Sequence, residues 1–479
     1  MKKTNNNNRI LSHFLTIGAG TIINMMLGLL TTPIITRLVE PTEYGELSIF
    51  IMYTGIAVMV LCIGLDQALV RFFYDKDELN YKRGLLKLCF LLPLLVTLVC
   101  IVITMLLVFT SKISFEFKPI IMVLLCCNIL ANLWSRISVL LLRLTYQSKK
   151  YAICNIIQKI VYIVVVMPLI VFIRDNDLVI LTFATVCSIF IQAFYAVLAT
   201  KEMWDFKDAD CLDNSKEIIR YGIPFILSLG LTTLFQAIDK ISLNHYCSYA
   251  DVGIYSSAMT IVGIFAIIQT TFNALWGPMQ VEHFVKNPED TSFIKNGNQY
   301  ITIVMFFIGF SLILFKDVFA LLLGSKYREA SYILPFLVFN PIMYTISETT
   351  CSGIDLSKRS YLNIIISMGA CLTNIVGNIL LVPQIGCQGA AISTGISYIV
   401  FWALRTFFSN KYYYVDYNIK RFSIITIMAL GYAYYNTFFN SLIISITGYL
   451  ICIVVLFLLY KSHCISGILT IKNQLTQIM

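Results

Sequence analysis

The residues of this chain that could do chemistry are polar side chains that recur at helical spacing inside long apolar stretches. Asn128, Asn132 and Arg136 follow one another at four-residue intervals, so on a helix their side chains share one face. Asn155 and Lys159 repeat this spacing in the next apolar stretch. A polar group that faces lipid is costly, so we expect these stripes to face a bundle interior or water.

Similar stripes occur in five further apolar stretches. A single stripe is typical of hydrogen bonding between helices, at roughly 0.6 to 2 kcal/mol per bond. Seven stripes instead predict a hydrated cavity that several helices share, while a bundle that satisfies its polar groups internally is the alternative. The later stripes include Gln236 and Asp239, Gln269 and Asn273, Tyr344 and Glu348, and Asn374 and Asn378.

Two cations lie within these stripes. Arg136 is about seven residues, or roughly 10 Å, inside the end of its apolar stretch. At that depth it could extend to the membrane surface, but the two asparagines on its face lead deeper and favour a cavity-lining role. Lys159 could either extend to the membrane surface or line the cavity.

The carboxylates in apolar stretches are candidates for gating or ion coupling. Asp66 and Arg71 are five residues apart, about 140° around a helix, so Asp66 needs a partner from a neighbouring helix. Adjacent Asp239 and Lys240 could be a gate pair, an interface anchor or ligands. Glu348 could exchange a proton or hold sodium, or it could be the counter-ion of one of the two stripe cations.

Motifs for nucleotide hydrolysis and for metal binding are absent from the sequence. There is no G-x-x-x-x-G-K-[ST] and no C-x-x-C, and the four histidines are far apart. Because no catalytic constellation is present either, we expect no ATP hydrolysis, no metal site, no cofactor and no enzymatic activity. Transport would draw on an ion gradient, the membrane potential or the removal of product.

The elements that must position these residues are membrane-spanning helices. The 479 residues are 58% hydrophobic and 13% charged, with a mean hydropathy of +0.80, which excludes an ordinary soluble domain. Runs of about 18 to 25 apolar residues predict an all-α, polytopic fold with about 14 (12 to 14) spans. They lie near 14–36, 47–70, 85–109, 119–142, 152–173, 178–199, 218–242, 252–277, 298–315, 331–352, 361–382, 388–409, 422–440 and 442–460.

The distribution of basic residues predicts the orientation. With both termini in the cytoplasm, most of the 35 lysines and arginines fall on cytoplasmic loops and helix ends, as the positive-inside rule requires. This asymmetry accounts for the formal charge of +9 without a nucleic-acid partner.

The chain divides into four predicted segments. Residues 1–200 form an N-terminal six-helix bundle, 201–217 a cytoplasmic linker, 218–410 a C-terminal six-helix bundle, and 411–479 two peripheral helices with a cytoplasmic tail. A weak repeat aligns 43–56 with 251–264, which is consistent with two bundles related by pseudo-twofold symmetry.

Four motifs resemble those of the polysaccharide transporters in the multidrug/oligosaccharidyl-lipid/polysaccharide exporter superfamily, in particular the Wzx-type O-antigen flippases. The resemblance covers nearly the whole chain, although many of those flippases are described with twelve spans and a lipid II flippase of the superfamily with fourteen. The motifs are "RLVEPTEYGELS" (37–48), "GLDQALVRFF" (64–73), "YGIPFILSLG" (221–230) and "DVGIYSSA" (251–258).

The resemblance implies a flippase of the bacterial inner membrane. It would move an undecaprenyl-diphosphate-linked oligosaccharide, an O-antigen or similar surface-polysaccharide unit, to the periplasmic leaflet by ion-coupled alternating access. A polysaccharide polymerase and a chain-length regulator would be partners, besides membrane lipid. Arg136, Lys159 and Arg71 would contact the diphosphate or acidic sugars, and the asparagines at 128, 132, 374 and 378 would contact sugar hydroxyls.

Two alternatives remain. A cation-coupled multidrug exporter of the same superfamily would require carboxylates deep in the N-terminal half, where Asp66 lies near a span end. A membrane-embedded O-antigen polymerase or ligase would resemble proteins with a large periplasmic loop, and we expect no outer loop longer than about fifteen residues.

Overall fold

The computed structural model describes residues 23, 26–110, 118–172, 176–207, 209, 210, 212, 214–263, 265–357, 359 and 361–465. Both termini, whose cytoplasmic location is predicted above, lie outside these residues, as do parts of the predicted linker. The described residues form helices and no strand, so the all-α fold predicted from the sequence is confirmed.

The chain forms eighteen α-helices among the described residues. Most coincide with an apolar run in the sequence. They are α1 (Met26–Leu38), α2 (Pro41–Leu61), α3 (Leu65–Phe72), α4 (Leu79–Phe109), α5 (Pro119–Leu144), α6 (Ser148–Phe172), α7 (Asp177–Ala199), α8 (Ser215–Tyr246), α9 (Tyr249–Val262), α10 (Phe265–Lys286), α11 (Ser292–Leu314), α12 (Lys316–Leu322), α13 (Ala330–Leu337), α14 (Phe339–Thr350), α15 (Ser352–Leu356), α16 (Tyr361–Asn410), α17 (Ile419–Phe438) and α18 (Leu442–Leu459).

This is a multi-pass membrane protein. Ten helical segments of the described chain are long and apolar enough to cross a membrane when α13 and α14 are counted together as one segment, Ala330–Thr350. The number is eleven if α9 and α10, bent by 47°, also form one span. The 50-residue α16 covers two of the predicted spans and is interrupted at Ile385 and Gly386, where the glycine has φ 53°. The predicted number of about fourteen stays a prediction.

The predicted span 47–70 is not one continuous helix. Ile63 and Gly64 take left-handed conformations, with φ 56° and 67°, and separate α2 from α3. A Cβ at position 64 would lie 2.1 Å from the carbonyl oxygen of Gly222 on α8, so the close crossing of the two backbones requires glycine there. The sequence pattern missed this break because Ile63 and its neighbours are apolar on both sides of it.

The helices gather into two compact units. Unit 1 comprises residues 1–31 and 43–237, and unit 2 comprises 32–42 and 238–479. The four-segment division predicted from the sequence stays a prediction.

Within unit 1, α7 packs against α5 and α6, and α3 packs against α4. A core of fully buried side chains joins α3, α4 and α5, and it includes Leu69, Leu85, Leu133 and Ile137. Pro119 begins α5 at a position where its missing N–H costs no hydrogen bond. This packing fixes the first residues of α3 against the middle of α5.

Within unit 2, α14 packs against α11 and α16, while α13 packs against α9, α16 and α17. Ser248 caps α9, because its hydroxyl accepts from the Asp251 N–H and the Asp251 carboxylate accepts from the Ser248 N–H. The last helix, α18, contacts α11 and α17 and buries few side chains.

Candidate functional site

The first polar site of unit 1 is an ion pair between α3 and α5. The Nε and Nη2 atoms of Arg136 donate to one oxygen of Asp66 at 3.0 and 2.6 Å. Gln67 donates to the same oxygen at 3.0 Å. Asp66 is 4% exposed, whereas the Arg136 side chain is 36% exposed, so the cation of this pair remains accessible to a second anion.

The Asp66–Arg136 ion pair agrees with the expectation that Asp66 has its partner on a neighbouring helix. Arg71 does not contact Asp66; it pairs with Asp75 at 2.8 Å on the surface, and its guanidinium lies over the Phe72 ring. The break at Gly64 starts α3 immediately before Asp66 and so directs its carboxylate towards α5.

The asparagine stripe of α5 is bonded within unit 1. Asn128 is buried and donates to the Thr54 hydroxyl at 3.0 Å. Asn132 is half-buried and donates to the backbone oxygen and the side-chain oxygen of Asn128 at 2.9 and 3.2 Å. Of the two predicted sugar contacts on this helix, only Asn132 is open to a ligand in this conformation.

A second polar cluster connects α5, α7 and α6. Ser135 donates to Gln192 at 2.9 Å, and Gln192 donates to Asn155 at 3.0 Å. Lys159 lies one turn after Asn155, half-buried, and makes no hydrogen bond or ion pair with any described residue. It is the twelfth residue of α6, about 16 Å from the start of that helix, so a cation without a partner lies near the middle of a span.

A deeply buried polar site belongs to unit 2 and is centred on Asp239 of α8. The carboxylate is 5% exposed, and every hydrogen bond that it accepts comes from a neutral donor. Tyr255 and Thr394 each donate to one oxygen at 2.7 Å, and Asn378 and Asn374 donate to the other at 2.8 and 3.2 Å. No cation within the described part of the chain forms an ion pair with this carboxylate.

The two asparagines of this cluster are fully buried. Ser393 donates to the side-chain oxygen of Asn374 at 2.8 Å and holds that amide in position. Contact between these asparagines and a sugar would require the cluster to open. Lys240, beside Asp239 in sequence, is half-buried and makes no hydrogen bond or ion pair with a described residue. The assignment of Asp239 and Lys240 to a gate stays a prediction.

Glu348 takes part in a second ion pair, also in unit 2. Its carboxylate accepts from Nη1 of Arg405 at 2.6 Å, and the same nitrogen donates to Ser347 at 2.9 Å. The Arg405 guanidinium lies over the rings of Phe401 and Tyr344. The counter-ion of Glu348 is therefore Arg405, and the sequence-based alternatives, Arg136 and Lys159, are wrong.

Several of these partners were not predicted from the sequence. Arg405 lies near the end of an apolar run, where arginine occurs frequently. Tyr255 and Thr394 gave no signal because tyrosine and threonine are common in membrane helices. The available signal was the spacing from Asn374 to Asn378, which is the same four-residue stripe that identified α5. The spacing within one helix does not indicate which stripes contact one another.

The sites contain carboxylates, amides, hydroxyls and cations suited to binding and ion exchange. Among the described residues, no group of three or more His, Cys, Asp or Glu side chains could hold a metal ion. The described histidines lie outside these sites, with His283 beside Asp290 and His463 beside Asn296.

The chain is similar to several known proteins. A family model described as "Polysaccharide biosynthesis protein" matches residues 10–282. An uncharacterized membrane protein of Methanocaldococcus jannaschii is 24% identical over 226 residues, 45% of this chain and 44% of the relative. The probable low-salt glycan biosynthesis flippase Agl15 of Haloferax volcanii is 19% identical over 220 residues, 45% of this chain and 47% of the relative. The chain thus spans about half the length of these curated relatives.

Two solved structures share the fold. The lipid II flippase MurJ in an inward closed conformation aligns with a TM-score of 0.70 at 16% identity, covering 94% of this chain and 98% of that one. An inward-facing MATE family multidrug resistance transporter of the MOP superfamily aligns with a TM-score of 0.59 at 14% identity, covering 83% and 97%. At these identities the likeness concerns the fold alone.

Proposed function

The chain belongs to the polysaccharide biosynthesis protein family, as its motifs predicted, and we propose that it is a flippase for a lipid-linked oligosaccharide. The cargo is an undecaprenyl-diphosphate-linked O-antigen or similar surface-polysaccharide unit, moved from the cytoplasmic to the periplasmic leaflet of a bacterial inner membrane by alternating access. The family match, the shared fold and the Haloferax volcanii relative support this proposal.

The observation that carries the proposal is Lys159, which lies near the middle of α6 and has no hydrogen-bond or ion-pair partner among the described residues. An unpaired cation at that depth is costly unless an anion or water reaches it. A lipid diphosphate supplies that anion, and its acyl chain can remain in the bilayer while the head group crosses.

Arg136 is the second proposed diphosphate contact. It uses Nε and Nη2 on Asp66, and its Nη1 makes no hydrogen bond with a described residue. Because the Arg136 side chain is 36% exposed, a phosphate oxygen could bind Nη1 while Asp66 keeps the side chain in position. Asn132, one turn away and half-buried, is placed to bind a sugar hydroxyl.

The Asp239 cluster is the proposed site of ion coupling. Four neutral donors stabilise the carboxylate, and no described cation forms an ion pair with it. A proton or sodium ion would remove this buried charge, and the amides of Asn374 and Asn378 can present oxygen as well as nitrogen to a bound ion. Loading and release of that ion would make one conformation of unit 2 depend on the ion gradient.

A multidrug exporter is the second candidate, favoured by the shared fold with MATE transporters. A cationic drug would need an accessible carboxylate. In unit 1 Asp66 is buried and already paired with Arg136, while Lys159 would repel a cation. Polymerase and ligase activities lack support, because no catalytic constellation occurs in the described sites. A polysaccharide polymerase and a chain-length regulator are proposed partners that act on the delivered unit.

Deletion of the gene in its native host tests the proposal. We expect loss of surface polysaccharide and accumulation of lipid-linked repeat units at the cytoplasmic leaflet, with drug sensitivity unchanged. Complementation with the unaltered gene controls for effects on neighbouring genes. Normal surface polysaccharide without accumulated units, in a host that has no second flippase, would contradict the proposal.

A further inference from the structure

A pocket of about 720 Å³ opens at one end of unit 1, away from the polar sites described above. Its walls are the turn between α5 and α6, the first turn of α6, the last turn of α7 and the short 3-10 helix that follows. These walls comprise residues 145–150 and 198–203. Tyr146 takes a left-handed conformation, φ 57°, which reverses the chain within the α5–α6 turn. The ends of three helices therefore enclose one space at the predicted cytoplasmic surface.

The pocket is basic. Three exposed lysines, Lys149, Lys150 and Lys201, and one carboxylate, Glu202, contribute to its wall. Lys150 donates to the Ala199 carbonyl at 3.3 Å at the end of α7. Lys149 and Lys201 make no ion pair or hydrogen bond with a described residue. The N-terminus of α6 adds positive potential at the same place, so the pocket favours an anion.

An unsatisfied acceptor also lies in the pocket wall. The side-chain oxygen of Gln147 is buried without a hydrogen-bond partner in the described part of the chain, while its amide nitrogen donates to Thr145 at 3.2 Å. A buried acceptor without a donor is costly. The oxygen is enclosed as the side chain stands, so a rotation of the Gln147 side chain into the pocket would be required before a ligand hydroxyl could donate to it.

An apolar stripe leads from this pocket along α7. Phe190, Phe194 and Leu198 follow at four-residue intervals, so they share one face of the helix. They are 50%, 50% and 55% exposed, and Leu198 is itself part of the pocket wall. The stripe offers an apolar surface to an acyl chain, which a water-soluble phosphate compound would not use.

We propose that this pocket binds an anionic phospholipid with a hydroxylated headgroup, of the phosphatidylglycerol type. The phosphate binds Lys149 and Lys201, and one acyl chain lies along Phe190 and Phe194. The Gln147 side chain rotates towards the pocket, where its oxygen accepts a hydrogen bond from the headgroup hydroxyl. Lysines at a membrane surface attract anionic lipid in a general way; the defined volume, the unsatisfied acceptor and the continuous apolar stripe make this a specific site. The proposal is independent of the cargo that the protein transports.

Lipid titration of the full-length protein, followed by native mass spectrometry, tests the site. The test variant is Lys149→Gln/Lys201→Gln, and the matched control is Lys216→Gln/Lys420→Gln, which removes two exposed lysines from the same predicted side. At about fivefold per lysine, we expect the affinity of the tightest phosphatidylglycerol site to fall about 25-fold in the test variant and less than twofold in the control. Phosphatidylcholine should bind all three proteins equally weakly.

Two further experiments distinguish a bound phospholipid from a soluble phosphate compound. Leu198→Ala should weaken phosphatidylglycerol binding, while millimolar sn-glycerol 3-phosphate or inorganic phosphate should not displace the lipid. Equal losses in the test and control variants, or no loss in either, would overturn the proposal. Displacement by sn-glycerol 3-phosphate with no effect of Leu198→Ala would also overturn it, because the ligand would then be a soluble phosphate compound. Unchanged thermal unfolding of the variants establishes that they fold.

Discussion

Replacement of Arg136 by alanine separates the structural role of this cation from its proposed role in transport. The change leaves Asp66, which is 4% exposed, without the two hydrogen bonds at 3.0 and 2.6 Å that neutralise it. Loss of one partner from a fully buried pair costs about 3 to 5 kcal/mol. Because the Arg136 side chain is 36% exposed and water screens the pair, we expect a loss of about 2 to 3 kcal/mol in unfolding free energy.

The double variant Asp66→Asn/Arg136→Ala removes both charges together. It leaves no buried ion unpaired, so we expect it to recover most of the stability, to within about 1 kcal/mol of the unaltered protein. Thermal unfolding in detergent compares the variants. Transport should remain lost in the double variant, because the proposed phosphate contact is absent, and Arg136→Lys should retain part of it.

Two results would refute this reasoning. Full transport by Arg136→Ala would remove Arg136 from the cargo path. Transport restored to the double variant together with its stability would mean that Arg136 serves only to neutralise Asp66.

Three further predictions concern the other sites. Lys159→Gln should abolish transport and Lys159→Arg should retain part of it, measured as surface glycan at equal protein level; equal activity in both would exclude a charge-dependent contact. Asp239→Asn should uncouple transport from the ion gradient, measured in vesicles with imposed proton or sodium gradients, and a retained gradient dependence would remove Asp239 from coupling. Gly64→Ala should lower the unfolding free energy by about 2 to 4 kcal/mol, because its Cβ would lie 2.1 Å from the Gly222 carbonyl oxygen. The control Gly55→Ala, which meets nothing within 4 Å, should be neutral or stabilising, and equal losses would show that the crossing tolerates a side chain.

Hydropathy and helical spacing were sufficient to predict the all-α membrane fold and most helix positions. The apolar run that includes Arg136 predicts 119–142, and α5 is Pro119–Leu144. Spacing also predicted that Asp66 would take its partner from another helix. These features are local in the sequence, because they depend on a period of 3.6 residues and on the thickness of the membrane.

Contacts between helices could not be predicted in the same way. Asp239 and Asn378 were separate candidates for gating and sugar binding, yet the second donates to the first at 2.8 Å. Arg405 was not singled out, although it neutralises Glu348. A stripe identifies the face of one helix, whereas the partner depends on packing between segments far apart in sequence. The break at Gly64 was not predicted because hydropathy does not depend on whether a residue adopts a left-handed backbone conformation.

Leaflet exchange in a reconstituted system tests the central claim most directly. The purified protein is placed in vesicles with an undecaprenyl-diphosphate oligosaccharide, and a membrane-impermeant glycosidase reports the fraction in the outer leaflet. We predict that the unaltered protein exposes glycan from the inner leaflet when an ion gradient is imposed, while Arg136→Ala and protein-free vesicles do not. Exposure no greater than in protein-free vesicles, with folded protein present under proton and sodium gradients of either direction, would contradict the account.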